Sequence, residues 1–209
     1  MIDFSKDYVF VKINAKEDTL TAKQYGIVGF PTVVLLDSGG NEIDRFWGYL
    51  GPESFVKQIE DYKAGIGTFT SVKKELEEDP DDVHLLFEVA ERYYSRGKFA
   101  EAINHYEKVF WYDQWNEKRK SDRAIRDIGI LYLKNKKFDK AIDQFQRMMD
   151  TYPNSDLVPD AFVYKGYVYQ KWGKKEKAIS MYESFIEQYP NSEDVEWAQE
   201  QIEKLKGEE

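Results

Sequence analysis

Cysteine is absent from the 209 residues of this chain, which removes disulfides, thiolate catalysis and thiolate metal sites from its chemistry. Histidine is almost as scarce. His84 and His105 are the only two, neither has companions at metal-ligand spacing, and no metal is expected. No apolar run approaches the roughly 20 residues that span a bilayer. The opening MIDFSKDYVF lacks the basic and apolar regions of a secretory leader, so the chain reads as cytoplasmic as it stands. Basic residues are outnumbered, 30 Lys and Arg against 39 Asp and Glu, for a formal net charge of −9. That balance argues against nucleic acid, whose phosphates call for basic clusters. There is no glycine-rich phosphate loop and no serine set between elbow glycines. The acidic run from Glu75 to Asp82 lacks the spacing of a calcium loop and reads as a solvated helix end. No cofactor is expected.

The second half of the chain repeats itself. Ala102, Ala141 and Ala178 each follow K-x-x-x and precede Ile, with an aromatic four residues later at Tyr106, Phe145 and Tyr182. The intervals are 39 residues from 102 to 141 and 37 from 141 to 178, close to the tetratricopeptide (TPR) period of about 34. The second unit fits that pattern best, with Ile125, Ile128, Gly129 and Tyr132 in its first helix, then Ala141, Phe145 and Pro153. The third offers Phe162, Gly166, Tyr169, Ala178, Tyr182 and Pro190, with Lys165 breaking the apolar position before the glycine. The first offers Leu86, Val89, Ala90, Tyr93, Ala102 and Tyr106. Gly97-Lys98, Lys136-Lys137 and Gly173-Lys174 mark the turn inside each pair, and Y-P-N-S at 152–155 and 189–192 marks two exits. Val195, Ala198, Ile202 and Leu205 give a last helix one apolar face, as in a terminal cap.

Before residue 67 the rhythm differs. Tyr8–Asn14 (YVFVKIN) and Pro31–Asp37 (PTVVLLD) read as strands, 18–25 as a short helix and 38–41 as a hairpin turn into a further strand. Pro52 opens a helix whose stripe is Phe55, Val56, Ile59 and Tyr62. Tyr25-Gly26-Ile27, Gly29-Phe30-Pro31-Thr32 before a strand, Asp37-x-x-Gly40 and Gly48-Tyr49 occur in order. In these motifs, residues 4–64 resemble the C-terminal half of a thioredoxin domain. The resemblance implies a cis peptide bond at Pro31 and a W-C-x-x-C motif upstream of Tyr8, which this chain lacks. It also implies a missing strand between Tyr8–Asn14 and Pro31–Asp37, a gap of roughly 9.6 Å, or two strand spacings. The chain then starts at an internal Met of a longer protein, or a partner completes the sheet.

The reading is therefore an α/β thioredoxin-like fragment (1–66), a linker helix (67–82) and an all-α TPR solenoid (83–209). Its units are 83–116, 122–155 and 159–192, with a capping helix at 193–206. The whole is similar to bacterial thioredoxin–TPR hybrids of the chaperedoxin type. That resemblance implies a redox arm beside a client-binding arm; since the sequence as given has no cysteine nucleophile, the reading is a non-enzymatic module or scaffold holding a peptide or client protein. The alternative is a truncated thiol-disulfide oxidoreductase whose cysteines lie upstream, with a periplasmic or envelope location if the N-terminus is incomplete. The Y-P-N-S exits suggest a third class, an envelope assembly factor. Self-association through the incomplete sheet is a further expectation.

In the repeat frame, the inward positions are Phe87, Glu91 and Tyr94 in unit one, and Arg123, Arg126, Ile130 and Lys134 in unit two. Unit three contributes Val163, Tyr167, Gln170 and Lys171. Their cations point to an acidic or C-terminal segment as partner, or else are ordinary solvated helix charges. Some TPR domains clamp a carboxylate through Asn, but Glu91, Ile130 and Tyr167 stand at those places, so that specificity is not expected. The run Phe110-Trp111-Tyr112-Asp113-Gln114-Trp115 is expected to pack partly on the neighbouring repeat. An exposed Trp111 or Trp115 there would be a partner hot spot.

Overall fold

A computed structural model describes residues 4–207. The chain divides into two compact units, Met1–His105 and Tyr106–Glu209.

The first unit opens with a 3₁₀ turn at Phe4–Asp7. Helix α1 (Thr19–Gln24) is capped by the Asp18 carboxylate, which accepts the Thr21 N–H at 3.0 Å. The Phe30–Pro31 bond is cis. Strands β1 (Thr32–Leu36) and β2 (Glu42–Trp47) form an antiparallel hairpin. Its turn is tied by the Asp37 carboxylate, which accepts the N–H groups of Gly39 and Asn41 at 2.8 Å each. Helix α2 (Pro52–Lys63) lays Ile59 and Tyr62 against Leu35, with Tyr8, Ile43, Phe46 and Phe55 closing the cluster. The sheet has two strands. The strand expected at Tyr8–Asn14 is not formed: the segment lies outside the sheet, with Val9 93% and Val11 75% exposed. Strand propensity measures how well a residue fits a pleated, half-covered surface. Among the described residues no neighbouring strand offers one.

Helix α3 (Phe69–Glu78), expected as a linker, packs on α4 (Val83–Ser95) with Val72 buried and Phe69 edge-on to Tyr93. The polar centre of this unit is Asp44 on β2, whose side chain is fully buried. Its carboxylate accepts the Phe69 N–H at the start of α3 (2.6 Å) and pairs with Arg92 of α4 at 3.1 Å. It also pairs with Arg96, the C-cap of α4. Arg92 donates to the Tyr62 hydroxyl (3.0 Å), and Tyr62 donates to the Arg45 carbonyl (3.2 Å). Arg45, itself buried, donates to the Ser95 carbonyl at 2.9 Å and forks onto Glu42. One acid thus ties β2 to α2, α3 and α4. The fit is close enough that Gly26, at φ +58°, would place a Cβ 2.3 Å from the Arg96 carbonyl oxygen. Only glycine suits both the left-handed backbone and the contact.

The second unit contains the later part of α5 (Phe99–Tyr112), then the pair α6 (Ser121–Lys134) and α7 (Phe138–Thr151). The pair α8 (Val158–Lys171) and α9 (Lys175–Gln188) follows, and α10 (Val195–Gly207) closes the unit. The repeated alanines are fully buried. A Cβ on Gly129 would sit 2.8 Å from the Phe145 ring, and one on Gly166 would sit 2.6 Å from Tyr182. The small residue of the first helix is therefore the space that the second helix's aromatic fills. Helix α10 buries Ala198, Ile202 and Leu205 against Tyr182 and Phe185.

The turn inside each pair is built alike in both units. Lys98, Lys137 and Lys174 donate back to the carbonyls of Tyr93, Tyr132 and Tyr169, which is the Schellman pattern. The left-handed residue before each lysine is Gly97 (φ 68°), Lys136 (φ 55°) and Gly173 (φ 76°). A non-glycine residue there is strained.

Two predictions follow. Lys136→Gly should stabilise the protein by about 0.5–1 kcal/mol in urea unfolding, since relief of strain outweighs the added freedom of the unfolded chain. Asp44→Ala should cost about 3–5 kcal/mol, because it strands Arg92 and Arg96 among buried partners. An unchanged unfolding midpoint would contradict the role assigned to Asp44.

Candidate functional site

In the first unit, Phe87 is buried, so it belongs to the packing and does not line a surface as the repeat frame suggests. Tyr94 is half-buried, with Trp47 of β2 edge-on to it at 5.2 Å and Phe99 at 6.1 Å. Glu91 is exposed.

In the second unit, the first helices of successive pairs are joined side by side. Arg126 of α6 meets Asp127 at 2.9 Å and reaches Asp160 of α8 at 3.6 Å. Gln170 of α8 accepts from the Tyr182 hydroxyl (3.0 Å) and donates to Gln201 of α10 (3.4 Å). Helices α6, α8 and α10 therefore form one continuous face. On it Arg123, Lys134 and Lys171 are exposed, and Ile130, Val163, Tyr167 and Gln170 are half-buried. Ile130 packs on the cluster around Phe145, Val163 on the one around Tyr182, and the Lys171 ammonium lies 5.0 Å over the Tyr167 ring.

The electrostatics of this face are mixed. Burial raises the Asp127 carboxyl above its ordinary range, although Arg126 and Arg123 pull the other way. Burial also raises Asp160, and Asp194 and Glu193 reinforce the shift against Arg126. Tyr164, stacked on Phe145 at 5.4 Å, is raised by burial as well. Arg126 is therefore a strut between α6 and α8 and not an open cation. Lys165, the polar intruder before Gly166, donates to Gln146 of α7, and burial lowers its pKa.

The aromatic run lies mostly in solvent, with Phe110, Trp111 and Tyr112 in the last turn of α5 and only Trp115 in the loop beyond it. Phe110 carries the Arg147 guanidinium 4.2 Å from its ring centre, but Trp111 is 67% and Trp115 86% exposed. The loop that carries Trp115 is tightly held. Buried Asp113 accepts the Lys118 N–H (3.1 Å), and Asn116 accepts the Ser121 N–H (3.0 Å). The Tyr152 hydroxyl donates to the Gln114 carbonyl at 2.8 Å. Among the described residues no cluster of His, Cys, Asp or Glu could hold a metal, and no helix is long and apolar enough to cross a membrane.

Comparison with known proteins agrees with this architecture. A thioredoxin-like domain model matches residues 3–63, and the YfiO model, described as outer membrane lipoprotein, matches 118–199. The chain is thioredoxin-like, then TPR-like. A crystal structure of MamA protein is similar at 26% identity and TM-score 0.52, over 68% of this chain and 73% of that one. A second MamA crystal structure, at 23% identity and TM-score 0.51, covers 77% and 90%. An Arabidopsis OM64 TPR domain aligns at 13% identity and TM-score 0.47 over 58% of this chain and 94% of that one. No curated protein matches. The repeat was readable from its period. The Asp44 network was missed, and its one sequence signal is the pair Arg92 and Arg96, four apart on α4, which asks for an acid opposite.

Arg126→Ala should cost about 1–3 kcal/mol by leaving Asp127 and Asp160 without their shared donor. Asp127's folded pKa already lies above its unfolded value, so its ionised form opposes folding as pH rises. The loss in Arg126→Ala should therefore shrink when unfolding is measured at pH below the carboxylate range.

Proposed function

We propose that the chain is a non-enzymatic protein-interaction module, and that the α6–α8–α10 face of the second unit holds a segment of a client polypeptide. The observation that carries this reading is the lateral joining of the first helices. It leaves half-buried Ile130, Val163 and Tyr167 beside exposed Arg123 and Lys171 on one continuous surface. Mixed apolar and charged side chains on a rigid helical face suit an extended or helical peptide. With no thiol in the sequence, the thioredoxin-like segment contributes no thiol redox chemistry of its own. The client's acidic character rests on Arg123 and Lys171, with Arg126 committed to internal carboxylates.

The test is a photo-crosslinking amino acid placed at Tyr167 or Arg123, with Glu183 on α9 as the control. Polypeptides should be captured from the first two positions and not from the third. Equal capture at all three, or none at Tyr167 and Arg123, would reject the face. Arg123→Glu with Lys171→Glu should weaken capture severalfold, and unchanged capture would remove the acidic client.

A second reading concerns the first unit. Its sheet stops at β1 beside large exposed apolar side chains, which favours self-association through the incomplete sheet.

A further inference from the structure

The first unit holds two unmet pairing needs of the same kind. One is the outer edge of β1. The Gly48 N–H bonds to the Pro31 carbonyl at 3.0 Å, and that pair fixes the alternation of the hairpin. Val33 and Leu35 then bond toward β2, while Thr32 and Val34 direct their N–H and C=O groups away from it. Among the described residues no third strand meets that edge. The other need is Val9–Ile13, a largely β-branched stretch whose backbone makes no hydrogen bond among the described residues.

The two share part of an amphipathic register. On the segment, Tyr8 joins the cluster around Leu35, Ile59 and Tyr62, and Phe10, although 58% exposed, lies 6.4 Å from Phe55. The alternate positions Val9, Val11 and Ile13 are 93%, 75% and 46% exposed. On β1, Leu35 joins the same cluster, and the alternate residue Leu36 is 37% exposed. Pairing the two segments keeps like faces together, since side chains alternate with period two. Tyr8 lies under the Lys63 ammonium, 5.2 Å from its ring centre, and the residues after it take no part in their own sheet.

We infer that two copies of this chain exchange these segments, Val9–Ile13 of each pairing along the open edge of the other's β1. A two-fold exchange is self-complementary: each copy donates one strand and accepts one, and both open edges are satisfied at once. It buries Val9, Val11 and Ile13 beside Val34 and Leu36. The occupant is a second copy because the chain itself supplies the strand the edge requires. The inference rests on the self-association reading and is independent of the client face.

The absence of cysteine makes the test clean. Val11→Cys protein is mixed with Val34→Cys protein carrying a distinguishing mass tag and oxidised, while the unmodified chain is weighed by sedimentation over a concentration series. The expected results are a mass rising to twice 24.7 kDa, a mixed disulfide joining the two differently tagged copies, and a shift to monomer for Val11→Lys. Val11 is largely exposed, so that variant leaves the monomer's packing intact. A dimer without the mixed disulfide, undisturbed by Val11→Lys, would overturn the exchanged segment and leave self-association standing. A monomer at every concentration would overturn both. A disulfide formed within one Val11→Cys/Val34→Cys chain would overturn the exchange in favour of internal pairing.

Discussion

The first unit is organised by one buried carboxylate. Asp44 gives up its hydration completely, which is tolerable only if charge and hydrogen bonds replace it. Arg92 and Arg96 supply the charge and the Phe69 N–H supplies a backbone donor. The partners come from two other stretches of chain, so satisfying the acid fixes the places of β2, α3 and α4 together. The arginines lie in the last turn and at the C-cap of α4, where cations also answer the helix's orphan carbonyls. Glu42 extends the same logic outward. Burial alone would raise its carboxyl, but the hydrogen bond from Arg45 and the charges of Arg45, Arg96 and Lys98 bring it below the usual range.

What the sequence disclosed follows from the range of the interactions involved. The helix pairs were legible because their determinants are local and periodic. Alanines at near-constant spacing, aromatics four residues later and a turn residue before lysine repeat within a few dozen positions. Even the glycine-for-aromatic exchange at Gly129 and Gly166 follows from the repeat pattern. Asp44 was not legible, because Arg92 and Arg96 lie 48 and 52 residues away in sequence and nothing in D-R-F marks the acid as buried. Tyr8–Asn14 failed for the opposite reason. Its local propensity is strong, but a strand is a property of a pair, and here the partner edge is not alongside.

The candidate face shows how packing redistributes residues that a repeat frame assigns alike. Phe87 enters the core, Tyr94 meets Trp47, Arg126 is held by two aspartates, and Gln170 bridges Tyr182 and Gln201. Counting cations along the helices gives a basic surface. Counting their partners gives a mixed one, because Asp127, Asp160, Asp194 and Glu193 gather where Arg126 lies. Side-chain commitments of this kind depend on which helix lies next door, and the period of a repeat does not encode them.

The stretch from the last turn of α5 to the start of α6 bears on recognition in a different way. Two indoles remain in solvent, Trp111 on the last turn of α5 and Trp115 in the loop that Asp113, Asn116 and the Tyr152 hydroxyl pin. Asn116 and Arg119 accept positive φ, at 56° and 54°, to complete that geometry. A flexible loop would let the rings fold back on the nearest apolar surface; a pinned one keeps them out. Rings already fixed in place lose little freedom on contact, and lost freedom is a main opposing term in association. Large, rigid, exposed aromatics are also the side chains that dominate interface energetics. The strained residues at 116 and 119 therefore act on the same term as the hydrogen bonds around them, because both hold Trp115 where another surface can meet it, as helix α5 holds Trp111.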